Sequence, residues 1–244
     1  MVWFGADPGG ANGFGVALLR ADGSFETGVV SCADAAMEWL PDRVETILAA
    51  AIDAPLWWSS GRSGERMADK FVRECLHKAS AKDVGGTVQS ANSLRGAVLI
   101  QGVLLATALR RQWRELPITE AHPKALLKAI WPQAAKGDSL WEKIARYYGL
   151  TGTPLGSDRE HERDAVLAAL AAREGYQRKW ARDLARERSQ SEQDPASLPW
   201  GPVSYWWPPT GQTMKEMVAE LRAMPKPPSV EVREPIEMPE RERD

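Results

Sequence analysis

The sequence predicts an α/β domain on a mixed sheet, in which an antiparallel meander of three strands continues into parallel strands. Two turn-rich segments near the start of the chain separate three apolar runs: residues 2–7, 14–19 and 25–31. This spacing is typical of two consecutive hairpins. Two later apolar runs, residues 50–53 and 116–120, alternate with helical stretches. Such alternation favours parallel strands covered by helices.

The predicted helices fill the intervals between these strands. They are expected at residues 33–49 with a break or offset near Pro41, at 65–79, 93–115 and 138–148, and at 158–188 with a bend at Gly175. A further helix is expected to begin at Pro123, because proline is favoured in the first helical turn. The cluster Tyr205 to Pro209 is interpreted as a packing element over the core. One domain is therefore expected over residues 1–209. Residues 210–244 are expected to hold a short helix at 211–224 and a partly disordered tail rich in proline and charge.

Net charge, cysteine content and the length of apolar runs limit which classes of protein fit the sequence. The 244 residues carry a net charge of −2, which argues mildly against a strong non-specific DNA-binding protein but does not exclude a nuclease. Two cysteines, Cys32 and Cys75, match neither a disulfide framework nor a zinc pattern, and they indicate free thiols in a cytoplasmic protein. No apolar run is long enough to span a membrane, so no membrane partner is expected.

Four acidic residues form the candidate catalytic site. Asp7, Asp53 and Glu120 each end a predicted strand, and Asp164 begins an apolar helical run rich in alanine. Side chains at strand ends of an α/β sheet project into the crevice where such folds bind ligands. Because carboxylates are the ligands that hard divalent ions prefer, the pattern predicts a site for Mg²⁺ or Mn²⁺. A pair of such ions can activate water against a phosphodiester.

These residues carry a resemblance to known proteins. The first hairpin resembles that of the Holliday-junction resolvases of the RuvC family, and the chain as a whole resembles an uncharacterised family of predicted nucleases with a ribonuclease-H-like fold. The matching segments are residues 5–17, 52–55, 66–69, 119–123 and 162–169. The resemblance implies a ribonuclease-H-like fold and a metal-dependent nuclease site at Asp7, Asp53, Glu120 and Asp164. One departure is that RuvC-type sites usually present a glutamate where this chain has Asp53 followed by proline.

Five further residues are candidates for substrate contact, each with a structural alternative: Arg66, Asp69, His122, Lys124 and His161. Arg66 suits bidentate contact with a phosphate, although an ion pair with Asp69 is equally consistent with the sequence. His122 fits a helix cap or a substrate contact. His161 fits a proton carrier, a neighbour of the metal, or a surface residue. The basic stretch 173–188 is interpreted as a solvated helix face rather than a nucleic-acid surface.

Three functions remain open from the sequence. The leading hypothesis is metal-dependent hydrolysis of DNA or RNA. A second is a phosphotransferase of the actin and sugar-kinase-like superfold, although only one hairpin of the required kind is found. A third is a non-catalytic module that binds nucleic acid or protein. RuvC-like enzymes often form homodimers, so the resemblance also implies a possible homodimer, but no dimer face is recognisable in the sequence.

Overall fold

A computed structural model describes residues 1–9, 13–40, 46–78, 94–131, 140–153 and 155–209 of the chain. The strands are β1 (Val2–Asp7), β2 (Phe14–Arg20), β3 (Phe25–Val30), β4 (Ile47–Ile52), β5 (Ile118–Glu120), β6 (Arg182–Asp183), β7 (Val203–Ser204) and β8 (Trp206–Trp207). The helices are α1 (Ala33–Trp39), α2 (Met67–Lys78), α3 (Leu94–Gln112), α4 (Pro123–Ile130), α5 (Leu140–Tyr147) and α6 (Glu160–Tyr176). Single 3₁₀ turns lie at Ser157–Arg159 and Leu184–Arg186.

The main sheet is mixed, as the sequence predicts. Its six strands have the order β3-β2-β1-β4-β5-β7. The first three strands form the antiparallel meander, whereas β4, β5 and β7 run parallel to β1. The carboxyl ends of β1, β4 and β5 therefore lie side by side at one edge of the sheet, which confirms that the strand ends are neighbours.

Helix α6 lies on one face of the sheet and is unusually close to it. A Cβ placed on Gly5 would overlap the backbone oxygen of Ala165, and one on Gly15 would overlap the backbone oxygen of His161. Both positions consequently require glycine, because any side chain would push the helix off the strands. The opposite face is covered by α3, where Gly102 packs against Ala54 and Ile52.

Two predicted helix boundaries are wrong. The helix expected over 33–49 ends at Trp39, and Ile47 already begins β4, because pairing with β1 holds this apolar stretch extended. The helix expected over 158–188 ends at Tyr176. Arg178 then adopts a φ of 60°, which cannot continue a right-handed helix, and Arg182 pairs with Trp207 in a second, two-stranded sheet.

The aromatic cluster near residue 205 packs as predicted. Tyr205 and Trp207 are buried, with ring centroids 6.0 Å apart, and Trp57 meets Tyr205 edge-on.

No helix within the described ranges is long and apolar enough to cross a membrane. The predicted loop at 80–92, the predicted helix at 211–224 and the predicted disordered tail at 225–244 lie outside the described residues.

Candidate metal and active site

The register of the central strands decides which way each acid points. Ala6, Ile52 and Glu120 are paired across β1, β4 and β5, so their side chains share one face of the sheet. Asp7 lies one residue further along β1 and is paired with Gly15 on the face covered by α6. The backbone N–H of Asp53 donates to the oxygen of Ala6 (2.8 Å), which extends the β1–β4 ladder by one residue. The side chains of Asp7 and Asp53 therefore lie on the face of the sheet covered by α6, whereas the side chain of Glu120 lies on the opposite face.

Helix α6 adds two residues to the site from above the sheet. His161 Nδ1 lies 2.6 Å from Asp7 Oδ2, and Asp164 lies one turn further along the helix. The Asp164 side chain is only 2% exposed, and its Oδ1 has no hydrogen-bond partner among the described residues. Arg163 Nε, 3.6 Å from that oxygen, is too distant for a hydrogen bond. This oxygen therefore has an ion-pair partner in Arg163 but no hydrogen-bond donor among the described residues, which is a costly state for a buried carboxylate.

The acids perturb one another electrostatically. Burial and, after it, the charge of Asp7 raise the pKa of Asp164 to about 6, against the opposing effects of Arg163 and Lys124. Burial also raises the pKa of Asp53 well above its usual value, together with the charges of Asp7, Asp164 and Glu120. Three carboxylates from three separate elements thus share one poorly solvated space, and a bound cation would relieve their repulsion.

Glu120 has a different environment. The Arg66 guanidinium donates to both of its carboxylate oxygens at 2.7 Å, and the backbone N–H of Leu56 donates to Oε2 at 3.0 Å. Arg66 also donates to both oxygens of Asp69, at 2.9 and 2.7 Å. The Arg66 side chain is 3% exposed, and its charged end lies 4.2 Å from the centre of the Trp57 ring.

This network changes the interpretation of three candidate residues. Glu120 is one half of a buried ion pair, so its oxygens are already satisfied. Arg66 is enclosed by two carboxylates and a tryptophan, so the structural ion pair with Asp69 is present and the guanidinium has no exposed edge for a phosphate. Burial lowers the pKa of Arg66, but Glu120 and Asp69 outweigh this and hold it well above the usual value.

His122 and Lys124 lie where the chain leaves β5. His122 is the N-cap residue of α4, as expected, and its backbone oxygen accepts from the N–H of Leu126 at 2.9 Å, but its side chain makes no capping hydrogen bond. Its Nδ1 lies 4.0 Å from Asp53 Oδ1, and burial lowers the pKa of the imidazole to about 4, which leaves it neutral at pH 7. Lys124 forms a 2.7 Å ion pair with Glu160, joining α4 to α6 beside the acids. The hydrogen bond to Glu160 raises the pKa of Lys124.

Sequence reasoning missed one buried acid near the site. Glu192 is 6% exposed and accepts hydrogen bonds from Trp57 Nε1 at 3.2 Å and from the backbone N–H of Met67 at 2.9 Å. It therefore fixes both the loop after Asp53 and the start of α2. The polar stretch around Glu192 offers no periodicity or motif that would have identified this role.

The side chains in the described part of the chain do not form a complete set of metal ligands. Among the described residues, no group of three or more His, Cys, Asp or Glu side chains is arranged closely enough to hold a metal ion. The donor chemistry nevertheless fits Mg²⁺ or Mn²⁺, since Asp7, Asp53 and Asp164 offer only oxygen ligands and Asp164 Oδ1 lacks a hydrogen-bond donor among the described residues. Mg²⁺ commonly keeps several waters, so few protein ligands suffice.

Comparison of the chain with protein-family models, curated proteins and solved structures gives no match.

Proposed function

We propose that the chain is a divalent-metal-dependent nuclease with a ribonuclease-H-like fold. The observation that carries the proposal is the placement of Asp7 and Asp53 side by side at the carboxyl ends of β1 and β4, with Asp164 on the helix that packs over β1, where the three carboxylates repel one another. Grouping like charges costs stability, so such an arrangement is expected where it serves a ligand.

The topology supports the fold part of the proposal. A three-strand antiparallel meander followed by parallel strands, with the acids at the carboxyl ends of β1 and β4, is the arrangement that the family resemblance leads us to expect. Ligands of α/β sheets bind at this edge. The helix that supplies Asp164 packs directly over β1, which keeps the third acid in fixed relation to Asp7.

Asp7, Asp53 and Asp164 would hold Mg²⁺ or Mn²⁺. Bound metal would supply an activated water and a positive charge for the phosphodiester oxygens. Glu120 would act indirectly, by fixing Arg66 and the backbone of Leu56 beneath the loop that follows Asp53.

His161 suits a proton-transfer role in the same site. The hydrogen bond to Asp7 raises the pKa of His161, because the carboxylate stabilises the imidazolium form. Nearly half of the His161 side chain is exposed, so a phosphodiester bound beside it could receive the imidazolium proton on its leaving oxygen. His161 would therefore protonate the leaving oxygen while Asp7 holds the ring in place.

One observation favours a second candidate, a non-catalytic module on the same fold. Glu120 is fully engaged by Arg66, and the described residues contain no preformed set of three ligands. A protein that binds nucleic acid without cleaving it would have these features. The phosphotransferase hypothesis gains no such support, because the described residues contain a single large sheet and a single hairpin of the required kind.

The experiment is a nuclease panel with Mg²⁺ and with Mn²⁺ on labelled single-stranded, duplex and branched DNA and on RNA. Wild type is compared with Asp7→Asn and with Asp34→Asn, a charge-matched control at an exposed position in α1. We expect metal-dependent cleavage by wild type and by Asp34→Asn, and none by Asp7→Asn. Binding without cleavage by all three proteins would support the non-catalytic module instead.

A further inference from the structure

The loop that follows Asp53 carries an exposed tryptophan. Trp58 is 45% exposed, whereas the preceding residue, Trp57, is 1% exposed and belongs to the core. An indole ring offers a large, flat apolar surface. The fold therefore leaves one such surface open to solvent in this loop.

Trp58 is backed by a second tryptophan. The Trp200 ring lies against it, with ring centroids 5.9 Å apart and an angle of 35° between the ring planes. Trp200 is 9% exposed, and its Nε1 donates to the backbone oxygen of Leu56 at 3.0 Å. The backbone oxygen of Trp58 accepts from the N–H of Gln193 at 3.1 Å. The exposed ring is thus held in place before any ligand binds, which reduces the entropy cost of binding.

The same loop starts at the candidate metal site. Trp58 lies five residues after Asp53, so the two Cα atoms are at most about 17 Å apart. Between them, the backbone N–H of Leu56 donates to the Glu120 carboxylate at the carboxyl end of β5. The loop is therefore anchored at the edge of the sheet that carries the acids, and Trp58 is within reach of a polymer bound there.

Arg62 adds a positive charge to this loop. It is exposed and forms no ion pair with any residue that the structure describes, whereas Glu65, the acid nearest to it in the loop, pairs with Arg73. Proteins that bind single-stranded nucleic acid combine cations along the phosphate backbone with aromatic rings on which the bases stack. The loop contains both kinds of group.

We propose that Trp58 stacks on an unpaired base of a nucleic acid bound at the acidic site, an inference that rests on the proposed function. Inside a duplex each base is covered on both faces by its neighbours, so the ring can receive a base only from a single-stranded segment. The substrate class is therefore nucleic acid with unpaired nucleotides close to the cleaved bond. A protein partner is a poorer occupant, because a stable protein interface buries about 800 Å² on each side, whereas one base needs a single ring.

The test measures binding of a labelled single-stranded oligonucleotide, and of the same sequence annealed into a duplex, by fluorescence anisotropy. Ca²⁺ replaces Mg²⁺, because Ca²⁺ does not impose the octahedral geometry that Mg²⁺ demands. Wild type is compared with Trp58→Ala, Trp58→Leu and Tyr176→Ala. Tyr176 is the matched control, since it is an aromatic residue that is 43% exposed at the far end of α6, about 18 Å from Asp164 along the helix.

We expect Trp58→Ala to weaken single-strand binding by about 5- to 140-fold, which corresponds to about 1–3 kcal/mol for one stacked base. Duplex binding should not change, and Tyr176→Ala should match wild type on both ligands. Trp58→Leu keeps an apolar side chain against Trp200 but removes the aromatic ring. It should show the same selective loss, so it tests stacking even if Trp58→Ala folds poorly.

Equal single-strand binding by wild type and both Trp58 variants would overturn the stacking proposal and leave the nuclease proposal standing. An equal loss on single strand and duplex would also overturn it, because a duplex offers no free base. So would a wild-type dimer that Trp58→Ala dissociates while single-strand binding stays unchanged, since a second copy would then cover the ring. A selective loss in a protein that never cleaves nucleic acid would support stacking and refute the nuclease.

Discussion

Replacing Asp164 by asparagine should make the metal-free protein more stable at pH 7. Its folded pKa of about 6, against an ordinary 3.8, is a shift of about 2 units. At 1.36 kcal/mol per unit, the ionised side chain costs about 3 kcal/mol of folding free energy. Its 2% exposure means that solvent screens little of this cost. Asparagine keeps the size and removes the charge, but its amide is also buried, so we expect a net gain of about 1–3 kcal/mol.

The size of this cost depends on pH in a defined way. A carboxylate with a raised folded pKa costs nothing below its unfolded pKa, near 4, and the cost grows until the pH passes the folded value of about 6. Wild type should therefore lose stability between pH 4 and 6, and Asp164→Asn should lose less. Above pH 6 the difference between the two proteins should be constant.

The assay is urea unfolding from pH 4 to 8, with and without millimolar Mg²⁺, on wild type, Asp164→Asn and the control Asp34→Asn. A metal site that exists only in the folded state, as proposed, predicts that Mg²⁺ stabilises wild type and the control but has little effect on Asp164→Asn. In thermal melts, each kcal/mol corresponds to about 2–4 °C for a domain of this size. A mutant that is less stable than wild type at every pH would refute the argument, because Asp164 would then be stabilising the fold.

Three further predictions follow from the same contacts. Glu120→Gln should destabilise the protein by about 3–5 kcal/mol in urea unfolding, because it leaves the buried Arg66 without full charge compensation; wild-type stability would show that the ion pair is dispensable. Asp7→Asn should abolish metal-dependent hydrolysis while the circular dichroism spectrum stays unchanged, and full activity would exclude Asp7 as a ligand. Removal of residues 225–244 should shift the melting temperature only slightly, since proline and charge dominate that tail; a large loss would identify it as part of the packed structure.

Much of the sheet could be predicted from the sequence because its signals are local. Glycine-rich turns separate β1, β2 and β3, and apolar runs ending in an acid define the ends of β4 and β5. Neighbouring strand ends then follow from parallel pairing. The boundary of α6 was missed because residues 177–182 contain no proline, and the pairing of Arg182 with Trp207 is a tertiary effect.

The candidate site was predicted less completely, for a reason of register. Glu120 is paired with Ile52, one residue before Asp53. Because side chains alternate along a strand, this offset of one residue places the Glu120 side chain on the face of the sheet opposite to that of Asp7 and Asp53. No local pattern encodes that offset. The guanidinium of Arg66, 54 residues earlier in the chain, then occupies both oxygens of Glu120. Glu192 comes from a third distant segment and accepts a hydrogen bond from the backbone N–H of Met67, the residue after Arg66.

The most direct test of the central claim is calorimetric titration of the full-length protein with Mn²⁺ at pH 7. Wild type, Asp34→Asn, Asp7→Asn, Asp53→Asn and Asp164→Asn are compared under identical conditions. If Asp7, Asp53 and Asp164 form the metal site, wild type and Asp34→Asn bind Mn²⁺ and the other three variants bind it weakly or not at all. Absence of binding to wild type, or equal binding to all five proteins, would contradict the account.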